Sequence, residues 1–199
     1  MDILQIATPD DAEQIEDIVI ETGAGVVEHL LEDLISGLSA RSILAAAFMK
    51  GEGSYNTDHI IRSLEDDTIN RLLFSYHSSE HKVPPLMESL LPAKRLNAVR
   101  PVLEKSVEDS LYINTIWLAE DLRGSGDADA LMEEAVRRCR NLGLNRMSLF
   151  CWNDNERALR FYARHGFTLF EHLSTEVLSL PNHTIGGSIL CMQVPGNRP

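Results

Sequence analysis

Apolar and polar positions along the first half of the chain alternate between strand-like runs and helical stripes. Apolar side chains that recur every three to four residues indicate a helix with one buried face, and alternation at every second residue indicates a strand. The pattern predicts, in order, a strand over 3–7, a helix opened by Pro9, a helix over 26–34, a helix capped by Ser39, and a hairpin of 59–64 and 69–76. The first half therefore combines strands with a group of amphipathic helices.

The second half has a more regular order of elements. A mostly apolar run over 111–118 has the character of a central strand covered on both faces, and it leads into the glycine-containing stretch 123–128. Helical spacing then continues to Gly143, a residue type that commonly follows the end of a helix. The pattern next predicts a strand over 146–152, a helix over 155–164, and strands over 167–170 and 188–194. This order of elements predicts an α/β fold.

The chain has 18 basic and 30 acidic side chains and a formal net charge of -12. An excess of negative charge opposes binding to a phosphate backbone or to an anionic membrane surface, so we expect no nucleic acid and no membrane as partner. Cys139, Cys151 and Cys191 lack metal-ligand spacing, so we expect reduced thiols and no metal. The N-terminus lacks a signal-peptide pattern and no apolar run is long enough for a membrane span, so we expect a cytoplasmic protein.

The acidic side chains are concentrated at the start of the chain. Residues 1–40 contain ten of them and no lysine or arginine. Two interpretations are open at this point. The acids can form solvated faces of amphipathic helices, which is the commoner arrangement for surface charge. They can instead form a wall that attracts a cationic substrate.

The glycine-containing stretch 123–128 lies between a predicted strand and a predicted helix. Glycines let successive backbone N–H groups point toward an anion, and a helix N-terminus adds the positive end of its dipole. A P-loop requires a Gly-Lys-Ser/Thr ending, which is missing here. A dinucleotide-binding fingerprint requires glycine or alanine at the position of Asp129. The pattern that remains is Arg-Gly-x-Gly-x-Ala.

Two elements of the sequence resemble motifs of the GNAT superfamily of N-acetyltransferases. The first is the acetyl-CoA loop, Gln/Arg-x-x-Gly-x-Gly/Ala, which is matched by Arg123, Gly126 and Ala128. The second is the Asn-x-x-Ala-x-x-x-Tyr helix, which is matched by Asn155, Ala158 and Tyr162 and is followed by Gly166 and Phe167. The two motifs occur in the family's order, separated by one helix and one strand. The resemblance covers residues 112–167.

The resemblance implies a fold as well as an activity. It implies a single GNAT-like domain over 1–199, with a mixed, mostly antiparallel sheet and helices on both faces. The sheet is expected to be splayed at the acetyl-CoA site, between the strands over 111–118 and 146–152. Residues 77–109 match little of the family, so we expect a partly helical insertion there.

Acetyl-CoA is the co-substrate that the resemblance implies. The strand end at Leu118 is expected to bind pantetheine through its backbone, and Asn155 to contact the same arm. Tyr162, seven residues after Asn155 and therefore on the same helix face, is expected to donate a proton to the departing thiolate. The pyrophosphate is expected on a loop made of Arg123, Gly124, Ser125, Gly126, Asp127 and Ala128.

The sequence departs from the family pattern at two places. Asp127 and Asp129 put negative charge beside the expected pyrophosphate, and we expect both side chains to point outward. Several relatives carry a glutamate base on the central strand, where this chain has Tyr112, with Asn114 next on that face. Neither is a base at neutral pH, and both are expected to face the substrate. The group that removes the amine proton is left open: it can be a water chain, an acid on another element, or bulk solvent.

These expectations define a function. The chain is expected to transfer acetyl from acetyl-CoA to a primary amine by direct attack in a ternary complex. A small cationic metabolite is the preferred acceptor, with Glu28 and Glu32, four residues apart on one helix face, inside the pocket. The alternatives are a protein N-terminal or lysine acetyltransferase and a non-catalytic acyl-CoA-binding regulatory module. The resemblance also leaves a homodimer open.

Overall fold

The structure is a computed structural model that describes residues 3–51, 53–176, 178, 180 and 182–195. The two ends of the predicted domain, at 1 and 199, lie outside the described residues. Seven strands are present in this part of the chain: β1 (Gln5–Ile6), β2 (Ile60–Glu65), β3 (Thr68–His77), β4 (Leu111–Leu118), β5 (Arg146–Trp152), β6 (Thr168–Leu173) and β7 (Gly187–Gln193). The helices are α1 (Ala12–Gly23), α2 (Val26–Leu31), α3 (Ala40–Lys50), α4 (Pro85–Leu90), α5 (Ala93–Glu104), α6 (Asp127–Asn141) and α7 (Glu156–Arg164).

The strands form one sheet in the order β1-β2-β3-β4-β5-β7-β6. Every neighbouring pair is antiparallel except β4 and β5, which run parallel. The predicted α/β fold with a mixed, mostly antiparallel sheet is therefore confirmed. The described helices include none that is long and apolar enough to cross a membrane.

The parallel pair β4–β5 is joined only at its beginning. Leu111 pairs with Met147 and Tyr112 with Ser148, and no pairing follows further along the two strands. On its other side β5 pairs with β7 along its whole length, so β5 stays in the sheet while β4 diverges from it. The predicted splay between 111–118 and 146–152 is confirmed, and it leaves the backbone of β4 open toward a cleft.

Successive side chains of β4 are buried in two core clusters, one on each face of the sheet. Successive strand residues point to opposite faces. Leu111 and Ile113 are buried in a cluster with α6, whereas Tyr112 is buried in a cluster with α1, α2 and α3. Both faces of the sheet are therefore covered by helices, as predicted.

The first helices are attached to the sheet by a buried ion pair. Asp11 Oδ2 accepts from Arg62 Nε at 3.2 Å and lies 3.1 Å from Arg62 Nη2. The same oxygen accepts from the backbone N–H of Thr8 at 2.7 Å, which caps the helical start as the acids after Pro9 predict. This pairing fixes the beginning of α1 against β2.

The segment predicted as an insertion is helical and belongs to the core. It contains α4 and α5, and Leu96 and Val99 of α5 are buried. The segment packs on α2, where a His29 ring nitrogen lies 3.1 Å from the carbonyl oxygen of Arg95. Residues 77–109 and α2 therefore form one wall beside the splayed strands.

Candidate active site

A cleft of about 560 Å³ opens where β4 and β5 diverge. Its lining comes from β4, the end of β5, the beginning of α6, α7, the α1–α2 junction, Ser54, Tyr55, Tyr76 and the segment 81–103. Four of the predicted site residues with side-chain roles line it: Tyr112, Asn114, Asn155 and Tyr162. Leu118, Arg123 and Ala128 line it as well.

The loop before α6 needs glycine for its backbone conformation. Gly124 and Gly126 have φ angles of 92° and 98°, in the left-handed region that other residues rarely adopt. A Cβ atom at either position would meet no described atom within 4 Å. A side chain here would therefore affect the backbone conformation and the approach of a ligand, not internal packing. Within the described residues, the N–H groups of Gly124 and Gly126 have no hydrogen-bond acceptor. These N–H groups and the start of α6 form an arrangement suited to a phosphate.

The two aspartates beside this loop are paired with cations. Asp127 Oδ1 accepts from Arg71 Nε of β3 at 2.7 Å, and its other oxygen accepts from the Ser125 hydroxyl. Asp129 Oδ1 accepts from Arg164 Nη2 at 2.7 Å and lies 3.0 Å from a ring nitrogen of His165. The Ser125 and Arg71 hydrogen bonds lower the pKa of Asp127, and the Arg164 hydrogen bond lowers that of Asp129. Since both charges are engaged by protein groups, they do not stand unopposed beside the anion site.

Asn155 immediately precedes α7 and Tyr162 lies on it, across the cleft from β4. Asn155 Oδ1 accepts from the Ala158 N–H at 3.1 Å, so this side chain caps α7. Tyr162 packs edge to face against Phe161 and Phe167. No described residue makes a hydrogen bond to its hydroxyl. Burial raises the pKa of Tyr162 above its ordinary value, so the phenol is protonated at neutral pH.

The comparisons with known proteins agree with this geometry. Residues 96–167, which include β4, the glycine loop, α6 and α7, match the family model described as the acetyltransferase (GNAT) family. The matched segment is therefore similar to the GNAT acetyltransferase family. A curated relative, named "Putative phosphinothricin acetyltransferase YwnH" of Bacillus subtilis (strain 168), is 35% identical over 68 residues. The match covers 34% of this chain, and the chain spans only 39% of the relative's length.

Solved structures share the GNAT fold over nearly the whole chain. The N-acetyltransferase from Staphylococcus aureus Mu50 has a TM-score of 0.68 at 21% identity, with 96% of this chain and 100% of that chain covered. The PaiA N-acetyltransferase from Thermoplasma acidophilum, in complex with coenzyme A, has a TM-score of 0.53 at 10% identity, with 97% and 99% covered. At these identities the likeness concerns the fold.

Arg123 of the glycine loop forms hydrogen bonds with two elements of the chain. Its Nε donates to the carbonyl oxygen of Leu118 at 3.1 Å, and its Nη2 donates to Glu21 Oε1 at 3.0 Å. The other oxygen of Glu21 accepts from Trp117 Nε1 at 2.9 Å. The Arg123 side chain thus ties the loop to the end of β4 and to α1. The two ends of the loop, Arg123 and Ala128, line the cleft, whereas residues 124–127 between them do not.

Around Tyr112 of β4, the cleft contains an aromatic cluster. The Tyr112 ring stacks on the His81 ring at a centroid distance of 3.7 Å. Tyr76 Oη lies 3.0 Å from His81 Nδ1 and accepts from Asn114 Nδ2 at 3.3 Å. Burial raises the pKa of both tyrosines and lowers that of His81 to about 4, so all of these side chains are uncharged at neutral pH.

Tyr76 and His81 are lining residues that sequence reasoning missed. Tyr76 is the residue of β3 that pairs directly with Tyr112, so only the strand register shows that they are neighbours. His81 reaches the cluster from the segment after β3, thirty-one positions before Tyr112. Nothing in the spacing of either residue indicates this contact.

The predicted acidic residues of the acceptor pocket are placed elsewhere. Glu28 and Glu32 are exposed, and neither lines the cleft. The apolar residues Val26, Leu30 and Leu31 take the inward face of α2, which turns the two glutamates to solvent. The expectation that Glu28 and Glu32 lie inside the pocket is therefore wrong. Among the described residues that line the cleft, Glu21 is the one carboxylate.

Proposed function

We propose that this chain transfers an acetyl group from acetyl-CoA to a primary amine within a ternary complex. The observation that carries the proposal is the cleft between β4 and β5, which is lined by Tyr162 and by Arg123 and Ala128 at the two ends of the glycine loop. The loop supplies unpaired N–H groups for the pyrophosphate. The open edge of β4 supplies backbone groups for pantetheine, and Asn155 lies beside the same path.

The proposed step conserves atoms and charge. The neutral amine nitrogen attacks the thioester carbonyl carbon, so that a C–N bond forms as the C–S bond breaks. The departing thiolate takes the proton of Tyr162 Oη, and the attacking nitrogen releases a proton. Tyr162 then regains a proton from solvent. A phenol kept neutral by burial is suited to this donor role.

No side chain that lines the described cleft is placed as a strong base. Both carboxylate oxygens of Glu21 are engaged, by Trp117 and by Arg123. His81 is a weak base, since its pKa is lowered to about 4. We therefore propose that water carries the amine proton to bulk solvent, and that the fraction of amine already neutral limits the rate.

Coenzyme A release tests this function. The purified chain is incubated with acetyl-CoA and a panel of primary amines, free thiol is followed by absorbance, and the acetylated amine is identified by mass spectrometry. Amine-dependent thiol release with a matching product supports the proposal. Binding of acetyl-CoA without transfer to any amine or to a peptide amine would favour a regulatory acyl-CoA-binding module instead.

A further inference from the structure

Apolar side chains line the part of the cleft formed by α2 and the segment 81–103. We name six of them the acceptor wall; its members are Val26, Val27 and Leu30 of α2 with Met87, Leu91 and Leu103 of the segment 81–103. These residues pack in the core cluster of α1, α2 and α3. Tyr162 and Ala128 pack in the cluster of α6, on the other face of the sheet. An acceptor that reaches the thioester from this side therefore contacts the acceptor wall.

The charged groups on the cleft give no site for a second cation. Glu21, the one carboxylate lining the described cleft, is engaged by Trp117 Nε1 and Arg123 Nη2. Besides Glu21 and Arg123, the charged lining residues are Lys82 and Arg157, and neither forms an ion pair with a described residue. A cationic tail on the acceptor would meet apolar side chains and like charge, and burying a charge without a partner is unfavourable.

We infer that the acceptor is a primary amine whose remaining part is apolar and carries no second cation, and that this part packs on the acceptor wall. The inference rests on the proposed function and names its substrate class. Apolar surface removed from water stabilises binding in proportion to its area. Each methylene added to a short alkylamine is therefore expected to raise kcat/KM about fourfold until the wall is covered.

Two amines with the same five-carbon chain distinguish this inference from a preference for cationic acceptors. Pentylamine and 1,5-diaminopentane share one chain and differ in a terminal ammonium group. The wild-type chain is expected to prefer pentylamine at least about tenfold in kcat/KM, because the second ammonium has no partner. A preference for the diamine would overturn the inference while leaving the acetyltransferase proposal in place.

Two matched variants each add one carboxylate, the first inside the cleft and the second outside it. Met87→Glu puts a carboxylate on the acceptor wall, and it is expected to weaken use of pentylamine and raise use of the diamine. Met49→Glu makes the same change on α3, where Met49 is 64% exposed and does not line the cleft. This control is expected to keep the wild-type ratio. A ratio that moves equally in both variants reflects surface charge alone and overturns the inference.

Binding measurements distinguish failure of the inference from failure of the proposed function. The wild-type chain is titrated with each amine in the presence of coenzyme A, by calorimetry. If no amine is acetylated but pentylamine binds more tightly than the diamine, the transfer proposal fails and the assigned ligand class stands. If neither amine binds and neither is acetylated, or if the diamine binds more tightly, the inference is wrong.

Discussion

Replacing Tyr162 by phenylalanine removes one hydroxyl from the cleft and little else. No described residue makes a hydrogen bond to that hydroxyl, so the variant leaves no buried partner unsatisfied. The ring contacts with Phe161 and Phe167 are retained, because phenylalanine has the same ring. The free energy of unfolding should therefore change little, and a loss of rate can be assigned to the missing proton donor.

The expected magnitude follows from general acid catalysis. A positioned proton donor contributes about 10²- to 10⁴-fold to the rate, so kcat of Tyr162→Phe should fall by at least about 10²-fold. Burial raises the pKa of Tyr162 above its ordinary value near 10, so the phenol stays protonated as pH rises from 6 to 9. Over that range kcat/KM should rise in both proteins as the amine loses its proton. The ratio between wild type and variant should stay constant.

The assay is steady-state thiol release at several pH values, with acetyl-CoA affinity measured separately by calorimetry. Tyr55→Phe serves as the comparison variant. Tyr55 also lines this cleft, and its ring packs against Phe48. Tyr55→Phe should lower kcat much less than Tyr162→Phe does. Equal kcat in wild type and Tyr162→Phe would refute the donor role. A ratio that changes with pH would show that Tyr162 titrates in the assay range, contrary to the reasoning from burial.

Three further variants test the glycine loop, the buried Asp11–Arg62 ion pair and the packing of Gly187 against Phe150. Gly126→Val, at a φ of 98°, should weaken acetyl-CoA binding by at least about tenfold in calorimetry, and unchanged affinity in a folded protein would remove the loop from the anion site. Asp11→Ala leaves the Arg62 charge buried and unpaired, so urea denaturation should show a loss of about 3–5 kcal/mol; a loss under about 1 kcal/mol would contradict this. Gly187→Ala brings a Cβ within 2.2 Å of the Phe150 ring and should cost about 1–3 kcal/mol in the same measurement, whereas full stability would show that the ring moves freely.

The elements of the second half could be predicted from sequence because their signals are local. The strands over 111–118 and 146–152 were expected with the bounds that β4 and β5 have in the structure. An apolar run flanked by turn residues carries this information without reference to the rest of the chain. The hairpin follows the same rule, since Asp66 and Asp67 form its two-residue turn with positive φ angles.

The residues proposed to bind the cofactor lie in short stretches of sequence. The residues of the acceptor half come from segments that are far apart in sequence. The loop before α6 and the face of α7 each lie within one short motif, which sequence reasoning can recognise. The acceptor half is assembled from α2 and the segment after β3, which meet only in the folded chain. The stacking of His81 on Tyr112 depends on strand register and on how that segment turns back. No periodicity records such a contact.

The acidic start of the chain shows why a local count of charges is a poor guide to a substrate. Four of its carboxylates are paired with cations from outside residues 1–40: Asp11 with Arg62, Glu16 and Asp17 with Arg41, and Glu21 with Arg123. The first of these pairs holds α1 to β2, and the last holds α1 to the glycine loop. Part of the acidic excess in this segment is therefore used in ion pairs with arginines from other segments. Since these contacts use charge to position α1, the charge left for a ligand in the cleft is positive, from Lys82 and Arg157, and this favours an acceptor without a second cation.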